Sequence, residues 1–417
     1  MSTDSRLLDF DLRIWAADGK YVAQVMDSPA GRSERETLRP PFGSDSNEIL
    51  SLKLENAVLR GRGYRGVPVS CEEKILREFG SEMFRIVFRE AASIAQKLSS
   101  SLDIVEQRSE TVDGLRIKLT IEPPEMAALP WEYVFDERQG DTGYMCLRHK
   151  SPMVRFLDFG RATTTFSIKG RLNVLGIVAN PRGEWDNLDT EQERNRIDEA
   201  IASIPDKNLV NFRWVPGDTH EHLLEMMQRE AWHVFHFIGH GGVQNDEGFI
   251  VLGDGRGGAD QLTAADLALT LQSSGALKLA ILNCCESARG TANPAEALVR
   301  LGIPAVVAMQ YPITDEAAVR FSSQFYKSLL MGQSLERSLT MARVWIRKRS
   351  KLEWAIPVLF TRASSDALFK IEPGERGSPE ERSSQTSPPS SPESTSSPSD
   401  YEQKRSRAQA ELKRLFS

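Results

Sequence analysis

The sequence predicts an α/β protein carried by a mainly parallel sheet, and three observations support that expectation. From about residue 166 onward, short apolar strands alternate with amphipathic helical stretches, the rhythm of a parallel sheet covered on both faces. Two of those strands, in "WHVFHFIGHGG" and "LKLAILNCCESARG", are nearly unbroken apolar runs that turn abruptly polar or glycine-rich at their ends. Upstream the pattern differs: strands alternate strictly between apolar and charged residues, as in a smaller α+β unit. A chain of 417 residues also exceeds what a single hydrophobic core usually serves. The expected organisation is therefore an N-terminal accessory α+β domain over 1–165 and a three-layer α/β sandwich over 166–373.

In the first region, Leu8, Phe10, Leu12 and Ile14 alternate with Asp9, Asp11 and Arg13, the period of a half-buried strand. Asp18-Gly19 supplies a turn, and "YVAQVMDSPAG" returns as the second strand of a hairpin. Residues 71–98 place Ile75, Phe79, Met83, Ile86, Ile94 and Leu98 on one helical face, with Gly80 as the candidate break. Leu115, Ile117, Leu119 and Ile121 alternate with Arg116, Lys118 and Thr120 in another strand. "ATTTFSIKGR" reads as the connector to the second region.

There, "RLNVLGIVANPRG" is a strand, "LDTEQERNRIDEAIASI" a helix, "NLVNFRWVPG" a strand and "THEHLLEMMQREA" a helix. The strand "WHVFHFIGHGG" ends in glycines and is followed by a "FIVLGDG" hairpin and a helix over 263–272. Then come the strand with paired cysteines, a helix over 294–301, the strand "PAVVAMQYPI", helices over 315–330 and 333–349, and a last strand, "WAIPVLFT". After Glu372 the composition collapses to Ser, Pro, Glu and Gly, so 374–400 is expected to be a disordered linker. Residues 401–417 restore an apolar stripe of Ala408, Leu412, Leu415 and Phe416 beside basic residues. That pattern reads as a short basic amphipathic helix that docks on a partner or as a frayed end, with a membrane-surface role a weaker third reading.

Composition narrows the function. A net charge of −6 argues against direct nucleic-acid binding as the chain's main role, although a local basic patch is compatible with it. The four cysteines, Cys71, Cys146, Cys284 and Cys285, are too few and too scattered for a disulfide framework, which points to reduced thiols and the cytoplasm. "MSTDSRLLDFDLRIW" lacks the charge pattern of a signal peptide, and no apolar run approaches the length of a membrane span.

The chemistry-bearing residues lie at two strand ends. One apolar strand runs out at His240, followed by Gly241-Gly242; another runs out at Cys285. In parallel sheets functional groups collect at the carboxyl ends of strands, and neighbouring strands lie about 4.8 Å apart. A free thiol has a pKa near 8.5, so a nucleophilic cysteine needs a neighbouring imidazole to take its proton. The backbone N–H groups of Gly241 and Cys285 are candidate donors to the oxyanion that forms when a carbonyl is attacked.

The run of "HVFHFIGHGG", "LKLAILNCCESARG", "GIPAVVAMQYPITDEAA", "FYKSLLMGQSLERSLTMAR" and "WAIPVLF" resembles, in that order, the CHAT domains of the caspase–separase clan of cysteine peptidases. The resemblance covers roughly 166–370. "YVAQVMDSPAG" and "LPWEYVFDE" with "CLRHKSPMVRFL" also look like the region preceding many bacterial CHAT domains. It implies a caspase-like sandwich with a His–Cys dyad: His240 matches the family's His-Gly histidine and Cys285 its nucleophile. Asn283, Cys284 and Glu286 stand where Ser, Ala and Glu are usual, so Cys284 is expected to be a small buried residue. The resemblance further implies an endopeptidase acting on a protein substrate, switched on by a protein partner, reached through the C-terminal tail in one reading, in bacterial antiviral defence or cell death. "YPITDEAA" is similar to the segment where separase-like relatives carry a pocket acid. Asp315 is thus either a selector of Arg or Lys before the cut or a cap of the helix beginning there. The alternative function is a non-catalytic signalling or scaffold module, which has no need of the His–Cys pair.

His233, His236 and His240 raise a metal site, but 233 and 236 point to opposite sides of a strand and no second ligand cluster has zinc spacing. No metal and no cofactor are expected. Trp131, Trp232 and Trp354 read as packing residues, and "GDGRGG" as a surface turn without Walker spacing.

Overall fold

Asp18 and Gly19 adopt φ of 50° and 71°, the pair of left-handed residues that a two-residue hairpin turn demands. They join β1 (Leu7–Ala17) to β2 (Lys20–Asp27). The computed structural model describes residues 7–41, 47–60, 70–159, 166–181, 185, 190–203, 209–245, 247–284, 287–288, 293–363 and 368–372. After the hairpin come β3 (Glu36–Leu38), α1 (Asn47–Arg60), α2 (Cys71–Arg85), α3 (Ala92–Gln107), β4 (Gly114–Ile121), α4 (Pro124–Ala127) and β5 (Met153–Phe156). Then follow β6 (Phe166–Lys169), β7 (Leu172–Val178), α5 (Thr190–Ala202), β8 (Val210–Trp214), α6 (His220–Arg229) and β9 (Val234–Ile238). The chain continues with β10 (His240–Gln244), β11 (Glu247–Gly253), β12 (Ala259–Thr263), α7 (Ala264–Gln272), β13 (Leu279–Asn283), α8 (Pro294–Arg300) and β14 (Ala305–Met309). Helices α9 (Asp315–Leu330) and α10 (Leu335–Arg347) and strands β15 (Pro357–Thr361) and β16 (Phe369–Glu372) complete it.

One sheet runs through both regions in the order β3-β2-β1-β4-β5-β15-β14-β13-β9-β7-β8. Its pairs are parallel except β1–β2, β2–β3 and β14–β15. The two regions read from the sequence therefore share a sheet, joined where β5 pairs with β15. The mainly parallel α/β sandwich is as expected, and strand alternation explains its three layers. In β13, Leu279 and Ile281 point into one core with Phe321 and Phe325 of α9 and Leu339 of α10. Ala280 and Leu282 point into a second core with Leu223 of α6, Leu267 of α7 and Leu298 of α8. Both faces are covered, so the strand is apolar from Leu279 to Leu282.

Three local expectations need correction. Gly80 does not break its helix; α2 runs through it to Arg85, and the interruption is a π-helical turn at Ile86–Glu90. A Cβ at Gly80 would sit 1.9 Å from the Tyr133 carbonyl oxygen, and its own carbonyl accepts the Phe135 N–H at 3.0 Å, so this glycine serves backbone approach. The connector at 166–169 contains β6, paired in parallel with β16. The glycines after His240 do not simply stop a strand; His240 begins β10, which forms an antiparallel sheet with β11 and β12.

The alternating strands hold a second surprise. Arg116 and Lys118 are buried, at 1% and 7% exposure. Arg116 makes two bonds to Asp9, at 2.7 and 2.9 Å, and one to Glu336 of α10 at 2.9 Å. Lys118 lies 3.5 Å from both Asp9 and Asp11 and 3.7 Å over the Phe156 ring. Parallel register sets Asp9 against Arg116 and Asp11 against Lys118, so each buried cation meets a carboxylate.

Candidate active site

The strand order places a topological switch beside β7. The chain leaves β7 through α5 toward the edge strand β8, and returns on the other side of β7 as β9, then β13 and β14. Loops leaving the carboxyl ends of β7 and β9 diverge there, which opens a crevice in a sheet of this kind.

His240 lies at that crevice, 7% exposed. The ladder continues past the strands to hold its approach: Ala179 N–H donates to the Ile238 carbonyl at 2.9 Å, and Gly239 N–H to the Asn283 carbonyl at 3.3 Å. A Cβ at Gly239 would be 2.7 Å from the Ala179 carbonyl oxygen, so only glycine fits between the two strand ends. Trp185, from the segment leaving β7, tilts over the imidazole with ring centroids 5.3 Å apart and also meets Phe249 of β11 edge-on at 6.1 Å. The sequence reading missed Trp185; its position just after a strand at the switch was the available signal.

β13 lies against β9 in parallel register, with Asn283 opposite Ile238. Cys284 is buried at 4% exposure among the apolar residues of the α6–α8 core, as expected. Its sulfur faces Gly241, where a Cβ would be 2.8 Å from Sγ. Beyond it, the Ser287 hydroxyl donates to the Cys284 carbonyl at 2.9 Å and accepts the Met309 N–H at 3.0 Å, and Ala288 N–H donates to the Met309 carbonyl at 3.0 Å. Both flanks of the segment 285–286 are thus fastened to β13 and β14. Cys285 itself, its backbone N–H and Glu286 lie outside the described residues, as do 374–400 and 401–417.

The opposite face of the Asn283 turn carries a buried acid that the sequence reading also missed. The Asn283 side-chain amide donates to the carboxyl of Glu193 in α5. Burial pushes the Glu193 pKa up to about 8, the negative charge of Asp315 adds to the rise, and the Asn283 donor offsets part of it. Helix period gave no hint of this, because Glu193 is one of three glutamates in an acidic stretch. Asp315 is exposed in the first turn of α9, and the N-cap is Thr314, whose hydroxyl accepts the Ala317 N–H at 3.4 Å. Its charge is close enough to Glu193 to count in that residue's ionisation.

The other histidines belong to the framework. His236 is fully buried, its Nδ1 2.9 Å from the Tyr326 hydroxyl and its ring stacked on that phenol at 5.8 Å; burial alone drives its pKa down to about 3. His233 Nδ1 accepts the Asn173 N–H at 3.0 Å. Among the described residues no three His, Cys, Asp or Glu side chains converge as metal ligands. Trp131, Trp232 and Trp354 are fully buried, and Trp131 and Trp232 donate to the Met126 and Met226 carbonyls.

A family model described as the CHAT domain matches residues 81–398. The chain belongs to the CHAT-domain family. The match takes in β4 and β5 as well as the region from β7 to β15, in keeping with a sheet that runs through both. No curated protein sequence matches. Among solved structures, the chain is similar to the Saccharomyces cerevisiae separase–securin complex in two crystal structures. Each is 12% identical, with TM-scores of 0.45 and 0.44, over 85% and 87% of this chain. In both cases the match spans 30% of the other chain. Among the described residues, no helix is long and apolar enough to cross a membrane.

Proposed function

We propose that this CHAT protein is a caspase-like cysteine endopeptidase in which Cys285 is the nucleophile and His240 the general base and acid. The observation that carries the reading is the register of two parallel neighbours. Ile238 and Asn283 are partners, and His240 and Cys285 each stand two residues further along the chain. His240 takes the thiol proton, and the Cys285 sulfur attacks a substrate peptide carbonyl. The N–H groups of Gly241 and Cys285 hold the oxyanion. The imidazolium then gives its proton to the leaving amine, which departs and leaves a thioester. Water, deprotonated by His240, hydrolyses the thioester and restores the thiol. Buried His240 beneath Trp185 and the absence of a side chain at Gly241 support this arrangement.

In this reading the Asp315 carboxylate, at the start of α9, favours Arg or Lys before the scissile bond, because a negative charge in the pocket selects a cation. A protein partner activates the enzyme, and bacterial defence or cell-death signalling is its setting. The test is co-expression of the wild type and Cys285→Ala with neighbouring proteins. Fragments specific to the wild type, ending in Arg or Lys, are the expected result; none under any activating partner, with no labelling by a cysteine-directed probe, contradicts the reading.

A further inference from the structure

A different part of the molecule carries a feature that peptidase chemistry does not use. A cavity of about 560 Å³ opens where the end of α10 faces the segment 139–148. Arg148, Arg347, Lys348 and Lys351 line it together with the apolar Leu147 and Val344, and no acidic residue does. In a chain of net charge −6 this is a local reversal of sign. The sequence between Glu336 and Glu353 holds six basic residues, from Arg337 to Lys351, and no acid.

Cations do complement the negative end of a helix, and Arg347 stands in the last turn of α10. That does not account for Lys351, beyond the helix end. Neighbouring carboxylates are already committed. Asp136 is shared by Arg138 at 2.8 Å and Arg148 at 3.4 Å, and Asp141 pairs with Arg77 at 3.1 Å. Lys348 and Lys351 make no ion pair among the described residues. Val344 is 43% exposed, an aliphatic surface held open between cations.

The aromatic residues decide between classes of polyanion. Trp345 is flanked by Arg320 at 5.5 Å and Lys348 at 5.3 Å, and buried Tyr144 lies under Arg347 at 5.4 Å. Among the described residues no aromatic side chain lines the cavity, so it offers no ring for the base stacking that single-stranded nucleic acid uses. Leu147 and Val344 instead suit aliphatic side chains. We infer that this groove binds a linear acidic peptide segment of a partner protein, its carboxylates on Arg347, Lys348 and Lys351 and its aliphatic side chains on Leu147 and Val344.

The probe is a fluorescein-labelled peptide of alternating Glu and Leu, titrated with the full chain and read by anisotropy. Saturable binding is expected, weakened about tenfold or more by Lys348→Glu with Lys351→Glu, and lost as added salt shortens the Debye length to about 3 Å. Val344→Ser, which leaves the charge unchanged, weakens it a few-fold, and Lys20→Glu, at an exposed site on the hairpin, leaves it intact. Circular dichroism confirms that each variant is folded. No binding by the wild type, an equal loss in Lys20→Glu, or tighter binding of a single-stranded oligonucleotide overturns the proposal.

Discussion

The middle of the sheet and its carboxyl edge put the same residue types in different surroundings, and residues 236 to 240 show both. His236, in mid-strand, is sealed between the sheet and α9, hydrogen-bonded to Tyr326 and held neutral by burial. His240, where the strand has run out, lies at the switch-point crevice with a tryptophan over it and glycine beside it. Cysteine divides the same way. Cys146, in the interior, has its thiol pushed up to about 12 by burial, and Cys284 packs into the core. Cys285 is the next residue in the chain. Among the described residues, surroundings change with position along the strand more than with residue identity: the mid-strand His236 is sealed under a helix, and His240 lies at the strand end under Trp185.

The sharpest way to break this contrast is to remove each histidine in turn. With the dyad reading, His240→Ala lowers peptidase turnover about 10²–10⁴-fold, measured on an activated substrate, with little change in melting temperature. His236→Ala does the reverse, destabilising the fold by about 2–4 kcal/mol in denaturant titrations while activity per folded molecule persists. If both variants lose activity in proportion to stability, edge and middle are not functionally distinct.

Gly241 and Cys284 test the packing at the boundary. A Cβ at 241 meets Sγ at 2.8 Å and the Phe249 carbonyl oxygen at 3.0 Å, so Gly241→Ala is expected to cost about 1–3 kcal/mol. Cys284→Ala alone is mild. Combined with Gly241→Ala it recovers part of the loss, with a coupling of about 1 kcal/mol in a double-mutant cycle. Strict additivity would show that the two strand ends are not in contact.

A smaller effect concerns Glu193. Its pKa is about 8 in the folded chain, against an ordinary carboxylate value when unfolded. Between those two values the unfolded state has released a proton that the folded state keeps, so stability falls as pH rises through this window. Desolvation is the leading cause, followed by Asp315, so Glu193→Gln should remove that slope. The melting-temperature advantage of the variant over wild type is expected to widen from about pH 5 to about pH 8. A constant difference contradicts the assignment. The least effect is expected at Cys146, which should resist alkylation in the native chain at neutral pH, as read by mass spectrometry.

Much of this was legible in the sequence because strand periodicity reports burial directly. The apolar runs of β9 and β13 announce strands covered on both faces, and their polar ends mark where covering stops. Alternation misled at Arg116 and Lys118, since a charged residue reads as solvent-facing unless its cross-strand carboxylate and the helix over it are known. Gly80 misled for a related reason: a glycine that admits a neighbouring backbone looks the same in one dimension as a glycine that ends a helix. Trp185 and Glu193 were missed because their roles come from the switch in strand order, which places the exit from β7 beside β9, and local pattern does not encode that order.

The central claim, that the imidazole at 240 and the thiol at 285 work on one another, is tested most directly by the pH dependence of alkylation at Cys285. Iodoacetamide rates, with the adduct located by mass spectrometry, are compared between wild type and His240→Ala. In the wild type the half-maximal rate should fall well below the free-thiol value of about 8.5, and His240→Ala should return it to about that value. Profiles that coincide in the two proteins would contradict the account.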